Sequence, residues 1–328
     1  MSGSFIAGTG TALPARSVPN ADIEQRLALA PGWIAARTGI EARRIADPAE
    51  TVCTMGTAAA RDAVASAGLS PGDLDYVIVA TSTADLALPA AASLLQTALG
   101  CDGGAFDLNA GCAGFLLGLA QADALVRSGG ARHVLVAGVD VMSRVTDPDD
   151  PKTAILFGDG AGAVVVSGCS RPAMGPFVLH SDGAAAGLLY APRDGGKIVM
   201  AGREVYRRAV QEMTGAVQEV VGAAGVGLGD VRLVVAHQAN ARILAAVAER
   251  LGVDAAKVFT NIARYGNTSA ASIPLALAEA GTTGALADGD LVVVTAFGAG
   301  FQWGAACVRW VAPRLNSRDR RAAGAVSA

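Results

Sequence analysis

Two stretches of the chain, nearly half its length apart, are variants of each other. Gly72-Asp73-Leu74-Asp75-Tyr76-Val77-Ile78-Val79-Ala80 returns as Gly229-Asp230-Val231-Arg232-Leu233-Val234-Val235-Ala236, an offset of 157 when Leu74 is set on Val231. Val134-Leu135-Val136-Ala137 returns as Leu291-Val292-Val293-Val294 at the same offset. Between these pairs, Asn109-Ala110-Gly111-Cys112 is answered by Asn267-Thr268-Ser269-Ala270 at 158. A looser pair is Gly160–Val166 with Gly304–Trp310. Offsets that agree to within one residue at three places mark an internal duplication, so the second half is expected to fold as the first does.

Val77–Ala80 and Val292–Val294 are short, β-rich and apolar on both faces, as strands buried on both sides are. Helix-like segments lie among them at Thr57–Ala67, Ala113–Arg127, Val205–Val221 and Ala241–Leu251. Strand–helix alternation implies α/β layers, here in two similar halves packed on each other. Gly168, Ser170 and Pro172 punctuate the chain near Cys169–Met174. The expected division is therefore residues 1–171, which carry Cys112, and residues 172–312, which carry His237 and Asn267. Residues 313–328, with Arg318, Arg320 and Arg321 among small residues, are expected to fray.

Hydrophobic residues make up 52% of the chain and the mean hydropathy is +0.41, which raises the question of a membrane. A spanning helix needs roughly 20 consecutive apolar residues. No such run exists; the longest candidates, such as the stretch Leu86–Leu99, are interrupted, here by Pro89, Ser93, Gln96 and Thr97. The net charge of −3 provides no global field for nucleic acid or an anionic membrane. The five cysteines (53, 101, 112, 169 and 307) are widely spaced, with no zinc-like cluster, so free thiols in a reducing compartment are expected. The N-terminus lacks the pattern of a signal peptide. A cytoplasmic protein without a metal fits these features.

Three residues could carry chemistry. Cys112 sits among small residues in Asn109-Ala110-Gly111-Cys112-Ala113-Gly114, just where a helical pattern begins. The positive end of the helix dipole would favour a thiolate there and lower its pKa. A buried structural cysteine is the bland alternative. His237 follows the strand Leu233–Ala236 and opens Gln238-Ala239-Asn240. Polar clusters at the C-terminal ends of buried strands are where α/β sites form, although a lone histidine is more often structural. Asn267 would be an ordinary helix cap, except that the duplication sets it opposite Cys112. A pseudo-twofold would bring the two helix starts face to face.

Two glycine-rich loops need separate readings. Phe297-Gly298-Ala299-Gly300-Phe301-Gln302-Trp303-Gly304 follows the strand Leu291–Thr295 and exposes backbone N–H groups that can form an oxyanion hole. It fails as a dinucleotide fingerprint. Phe157-Gly158-Asp159-Gly160-Ala161-Gly162 lacks the Gly-Lys-Ser/Thr ending of a phosphate loop and reads as a tight structural turn.

Taken together, these segments resemble β-ketoacyl-ACP synthase III, a condensing enzyme of the thiolase superfamily. The resemblance runs from Gly8 to Trp310. It rests on Trp33–Ile40, the Cys112 segment, Phe157–Ala163, Met200–Tyr206, His237–Asn240, Tyr265–Pro274 and Ala296–Gly304. It implies a thiolase fold of five layers, α-β-α-β-α, and a homodimer without a permanently bound cofactor. It implies Cys112, His237 and Asn267 as the catalytic triad, with the backbone N–H groups of Cys112 and Ala299 as the oxyanion hole. Cys112 would take an acyl group from acyl-CoA. Malonyl-ACP would then lose CO₂, and His237 and Asn267 would steady the enolate that attacks acyl-Cys112. A relative of this kind could instead pass the acyl group to an alcohol or amine without decarboxylation. Asn267 argues against that reading, because its donor serves decarboxylation.

The resemblance also implies peripheral contacts. Trp33 matches a residue that stacks on the CoA adenine, and Arg37, Asn240 and Arg242 match CoA or phosphopantetheine contacts. Arg207, Arg208 and Arg242 match a basic patch that receives the carrier protein. There are two departures. A CoA-binding arginine is replaced by Pro151, leaving the adjacent Lys152 as a point charge without bidentate geometry. A phenylalanine that reaches the partner subunit's primer pocket is replaced by Leu88, which predicts a primer larger or more branched than acetyl.

Overall fold

The computed structural model describes residues 3–193 and 195–312. The expectation for residues 313–328 therefore lies outside the described residues. The first sheet holds β1 (Gly3–Ala12), β2 (Tyr76–Ala80), β3 (Gly104–Leu108), β4 (His133–Asp140) and β5 (Gly160–Cys169). Its spatial order is β1-β5-β4-β2-β3. The second sheet holds β6 (Met174–Ser181), β7 (Val231–Ala236), β8 (Leu291–Gly298) and β9 (Gln302–Arg309). Its order, read the same way, is β6-β9-β8-β7.

The two orders are the same pattern. In each sheet the first strand pairs antiparallel with the last, the last pairs antiparallel with the central strand, and the central strand runs parallel to the next. The place of β3 in the second sheet is marked by one parallel bridge, Val234 to Val258. Tyr76 faces Val134 in the first sheet, and Leu233 faces Val292 in the second. The duplication is thus built into strand register. The β4/β8 offset is 158 (292 against 134), one more than the sequence match gives.

The helices fill three further layers. On the outer face of the first sheet lie α3 (Val52–Ser66) and α4 (Ala91–Leu99), packed on Val77, Val79, Leu135 and Ala137. Between the sheets lie α5 (Gly114–Arg127) and α8 (Ser272–Thr282), against Ile78, Val134 and Val136 on one side and Leu233, Val235 and Val292 on the other. On the outer face of the second sheet lie α6 (Gly202–Ala223) and α7 (Ala241–Leu251), against Val234, Ala236 and Val293. Alternate residues of one strand serve opposite layers, as the period of 2 requires. Two shorter helices, α1 (Asn20–Arg26) and α2 (Trp33–Thr38), form a small separate core with Val18 and Ile155. Among the described residues no helix is long and apolar enough to cross a membrane. The high apolar content is spent on strands and central helices buried from both sides.

The Gly158–Gly162 segment differs from the expected turn, because β5 already begins at Gly160. Its glycines instead allow backbone to meet backbone across the two halves. A Cβ at Gly158 would lie 2.3 Å from the Tyr265 carbonyl oxygen. One at Gly138 would lie 2.2 Å from the Ala270 carbonyl oxygen, and one at Gly298 2.7 Å from the Ala113 nitrogen. No side chain fits at these points.

Candidate active site

The seam between the halves places Cys112 two residues before α5 and Asn267 in the turn that leads into α8. His237 directly follows β7. All three line one cavity of about 410 Å³, which reaches outward between α2, α6 and α7. A second cavity of about 360 Å³ continues on the other side of Cys112, lined by Met142, Val145, Leu189, Tyr190 and Ile198. Phe157 and Leu189 border both, so Cys112 sits where the two meet.

Each polar group is held by a specific bond. The Asn267 side-chain oxygen accepts from the Ser269 N–H at 2.9 Å. That bond fixes the amide and leaves the Nδ2 donor for the cavity, so Asn267 caps a tight turn and lines the site at once. His237 is 2% exposed, and its Nδ1 lies 2.7 Å from the Ser272 hydroxyl at the start of α8. Burial pulls the imidazole down to about 4, so it is neutral at physiological pH. A hydroxyl can donate to Nδ1 or accept from it, so Ser272 supports either tautomer.

Cys112 departs from the expected lowered pKa. Its residue surface is partly open to the cavity, but the sulfur is surrounded by packed protein. Burial, offset in part by a bond from Ser269, pushes the thiol up to about 12. The helix start is present, yet desolvation outweighs it. Alkylation of the free enzyme by iodoacetamide should therefore climb steadily between pH ~7 and ~9.5 without levelling off. A plateau below pH ~8 would mean that the resting site holds a thiolate.

The loop after β8 lies directly against Cys112. Gly111 has φ +53, and a Cβ there would lie 2.9 Å from the Ala299 nitrogen. Among the described residues, no backbone carbonyl takes the N–H of Cys112 or of Ala299. Beneath the site, the buried Asp140 at the end of β4 accepts from the Ser82 N–H (2.8 Å), the Thr81 and Thr83 hydroxyls (3.2 and 3.0 Å) and the Ala270 N–H (3.1 Å). It ties the first half to the turn that carries Asn267.

The peripheral residues divide. Arg37, Lys152, Asn240 and Arg242 line the mouth of the larger cavity. Asn240 caps α7, with its oxygen accepting from the Arg242 N–H at 2.8 Å, and its Nδ2 donates to the Arg37 carbonyl at 3.3 Å. Trp33 lies behind the mouth, with the Arg37 guanidinium 4.0 Å above its ring, so one indole face is already covered. Arg207 pairs with Glu204 on the helix surface. Arg208, expected in the carrier patch, is engaged within the fold. It pairs with Asp182 at 2.8 Å and Glu212 at 3.2 Å, and it lies over Phe301 and Trp303. Its charge is neutralised inside the fold. Arg203, by contrast, lines the mouth. Its spacing of four residues from Arg207 on α6 is the signal that could have found it. Leu88 is 86% exposed in the loop before α4, away from the subunit's own cavities.

Five layers, a duplicated sheet and a cysteine at the shared seam define a condensing enzyme of the thiolase fold. The comparisons narrow the class. Descriptions of 3-oxoacyl-[acyl-carrier-protein (ACP)] synthase III match residues 106–183, and those of its C-terminal part match residues 221–310. The chain belongs to this family. It is 44% identical to beta-ketoacyl-[acyl-carrier-protein] synthase III of Rhizorhabdus wittichii, over 94% of this chain and 99% of that one. It is similar to the crystal structure of 3-oxoacyl-[acyl-carrier-protein] synthase III from Aquifex aeolicus, with 44% identity, TM-score 0.91, and 94% and 100% of the two chains covered. It is also similar to the priming beta-ketosynthase from the R1128 polyketide pathway, with 38% identity, TM-score 0.90, and 95% and 97% covered.

Proposed function

We propose that this enzyme is an acyltransferase of the EC 2.3.1 class that starts fatty acid or polyketide chains by decarboxylative condensation. The observation that carries the reading is the meeting of Cys112, His237 and Asn267 in one cavity. In the first step the Cys112 sulfur attacks the carbonyl of an acyl-CoA primer. Its proton passes to the neutral His237 Nε2, and the backbone N–H groups of Cys112 and Ala299 hold the tetrahedral oxyanion. The C–S bond to CoA then breaks, and the CoA sulfur takes that proton. In the second step malonyl-ACP loses CO₂, and the electron pair of the broken C–C bond forms an enolate. Before it forms, His237 exchanges its Nδ1 proton for one on Nε2 through solvent, so that Ser272 donates to Nδ1 and the enolate oxygen accepts from Asn267 Nδ2 and His237 Nε2–H. The enolate carbon attacks the acyl group, and the Cys112 thiolate leaves and takes a proton from solvent water, which closes the proton balance of the cycle. No permanently bound cofactor enters the cycle. Incubation with acyl-CoA and malonyl-ACP should release CO₂ and give a 3-ketoacyl-ACP two carbons longer. Acylation without CO₂ release would overturn the reading in favour of simple acyl transfer.

The mouth formed by Arg37, Lys152, Asn240 and Arg242, with Trp33 behind it, suits the CoA and phosphopantetheine arms. Arg203, Arg207 and Arg242 offer a basic landing for an acidic carrier. The cavity beyond Cys112 suits the primer chain. Cytoplasmic action accords with these substrates, and the division of the chain at 171/172 falls between β5 and β6.

A homodimer is supported by an unpartnered surface. β3 is an edge strand with Phe106 at 36% exposure, and the neighbouring loop exposes Leu86 (50%) and Leu88 (86%). Open strand edges with apolar side chains invite pairing. Phe106→Glu should shift the protein from dimer to monomer in analytical ultracentrifugation; an unchanged mass would exclude this edge. With Leu88 in place of a flat ring, isobutyryl- or hexanoyl-CoA should acylate Cys112 faster than acetyl-CoA. Strict acetyl preference, read by intact-protein mass, would sink that expectation.

A further inference from the structure

A third cavity, of about 370 Å³, takes no part in this chemistry. It lies between α1, the ribbon formed by Ser17–Pro19 with Ala42–Arg44, and the segments at Ser143 and Lys197. Four cations line it, Arg16, Arg26, Arg43 and Lys197, and among the described residues no carboxylate does. Among the described residues none of the four belongs to an ion pair. Arg16, Arg26 and Lys197 are exposed at the rim, whereas Arg43 is 0% exposed in the floor.

Arg43 is held in place but not neutralised. Its terminal nitrogens donate to the Val18 and Ile155 carbonyls and to the Asn20 oxygen. Its buried Nε has no partner. Burial, with the Arg26 charge adding to it, pulls the guanidinium down to about 10, and Glu24 offsets only part. Glu24 is itself engaged by the Gly32 and Ile34 N–H groups. Asp159, the other nearby buried carboxylate, is engaged by Ala46 and Ser143. Like charges are thus gathered around one recess, and among the described residues the nearby Glu24 and Asp159 turn to other donors rather than pair with these cations. Bringing them together costs Coulomb energy that an anionic ligand would recover. Val18 and Ile45 add an apolar wall.

We propose that this recess binds an organic phosphate. The phosphate sits among Arg16, Arg26 and Lys197 above Arg43, and the apolar body lies against Val18 and Ile45. The test is calorimetric titration of the full chain with AMP, inorganic phosphate and adenosine. AMP should bind more tightly than phosphate, and adenosine not at all at ~1 mM. Arg26→Gln and Lys197→Gln, at exposed positions, should each weaken AMP about tenfold. Trp33→Ala and Arg242→Gln should leave it unchanged, separating this recess from the CoA mouth. No AMP binding, equal binding in Arg26→Gln and Lys197→Gln, or loss on Trp33→Ala or Arg242→Gln would overturn the proposal. AMP no tighter than phosphate would overturn the organic body.

Discussion

Asn267→Ala should leave acylation of Cys112 within a few-fold of its starting rate and lower CO₂ release about 100- to 1000-fold. The asymmetry follows from where charge forms. In the proposed first step the negative charge sits on the acyl oxygen beside the backbone N–H groups of Cys112 and Ala299. In the proposed second it sits on the malonyl thioester oxygen, which Asn267 and His237 would serve. Asn267 is 6% exposed and its amide is oriented by the Ser269 N–H, so its donor is in place before the enolate exists. Cys112→Ala is the complement, since it should abolish the acyl-enzyme altogether. Rapid-quench measurement of acyl-Cys112 beside release of labelled CO₂ separates the two. Equal losses in both steps for Asn267→Ala would remove Asn267 from its assigned role.

Asp140→Ala should destabilise the protein by ~3–5 kcal/mol, a fall in Tm of roughly 4–7 °C for a chain of this length. Four donors converge on this carboxylate, and truncation strands the buried Thr81 and Thr83 hydroxyls and the Ala270 N–H away from water. Burial raises the Asp140 carboxyl pKa, and the Ser82 N–H and its other donors work against that rise. Asp140→Asn is the sharper variant. One oxygen still accepts from Thr81, Ser82 and Thr83, but the amide nitrogen now faces the Ala270 N–H. The turn bearing Asn267 should shift, so condensation should fall more than acylation while much of the stability remains. A wild-type Tm in Asp140→Ala would show that these bonds are dispensable.

Much of the fold and of the catalytic cluster was legible because the signals are local or repeated. The strand pairs Tyr76–Ala80 and Val231–Ala236 are short apolar runs, and their common offset relates them without any structure. A nearly equal offset, 158, pairs the segment Asn109–Cys112 with Asn267–Ala270 and so relates the two helix starts that carry Cys112 and Asn267. What was not legible depends on contacts distant in sequence. The Cys112 thiol lies beside a helix start, as expected, but its pKa is governed by the protein packed around it. Arg208 looks like any surface cation until Asp182, 26 residues away, closes on it. Arg203 shares a helix face with Arg207, four residues on, but that spacing alone does not say that the face meets the cavity mouth. The basic recess brings Arg16, Arg43 and Lys197 together from three distant segments, and no spacing rule could have joined them.

The glycines at the seam have a mechanical meaning. At Gly111, Gly138, Gly158 and Gly298 the two halves touch through main chain, with gaps that would not admit a methyl group. Main chain is the least compressible part of a protein, so the halves have no angle through which to open and close on their substrates. Two different thioesters must therefore be processed in a mould cast in one piece. On the proposed function, adaptation to new primers would be left to side chains lining the inner cavity, such as Leu189, Tyr190 and Ile198, and to the loop that presents Leu88. Those can be exchanged without disturbing the casting.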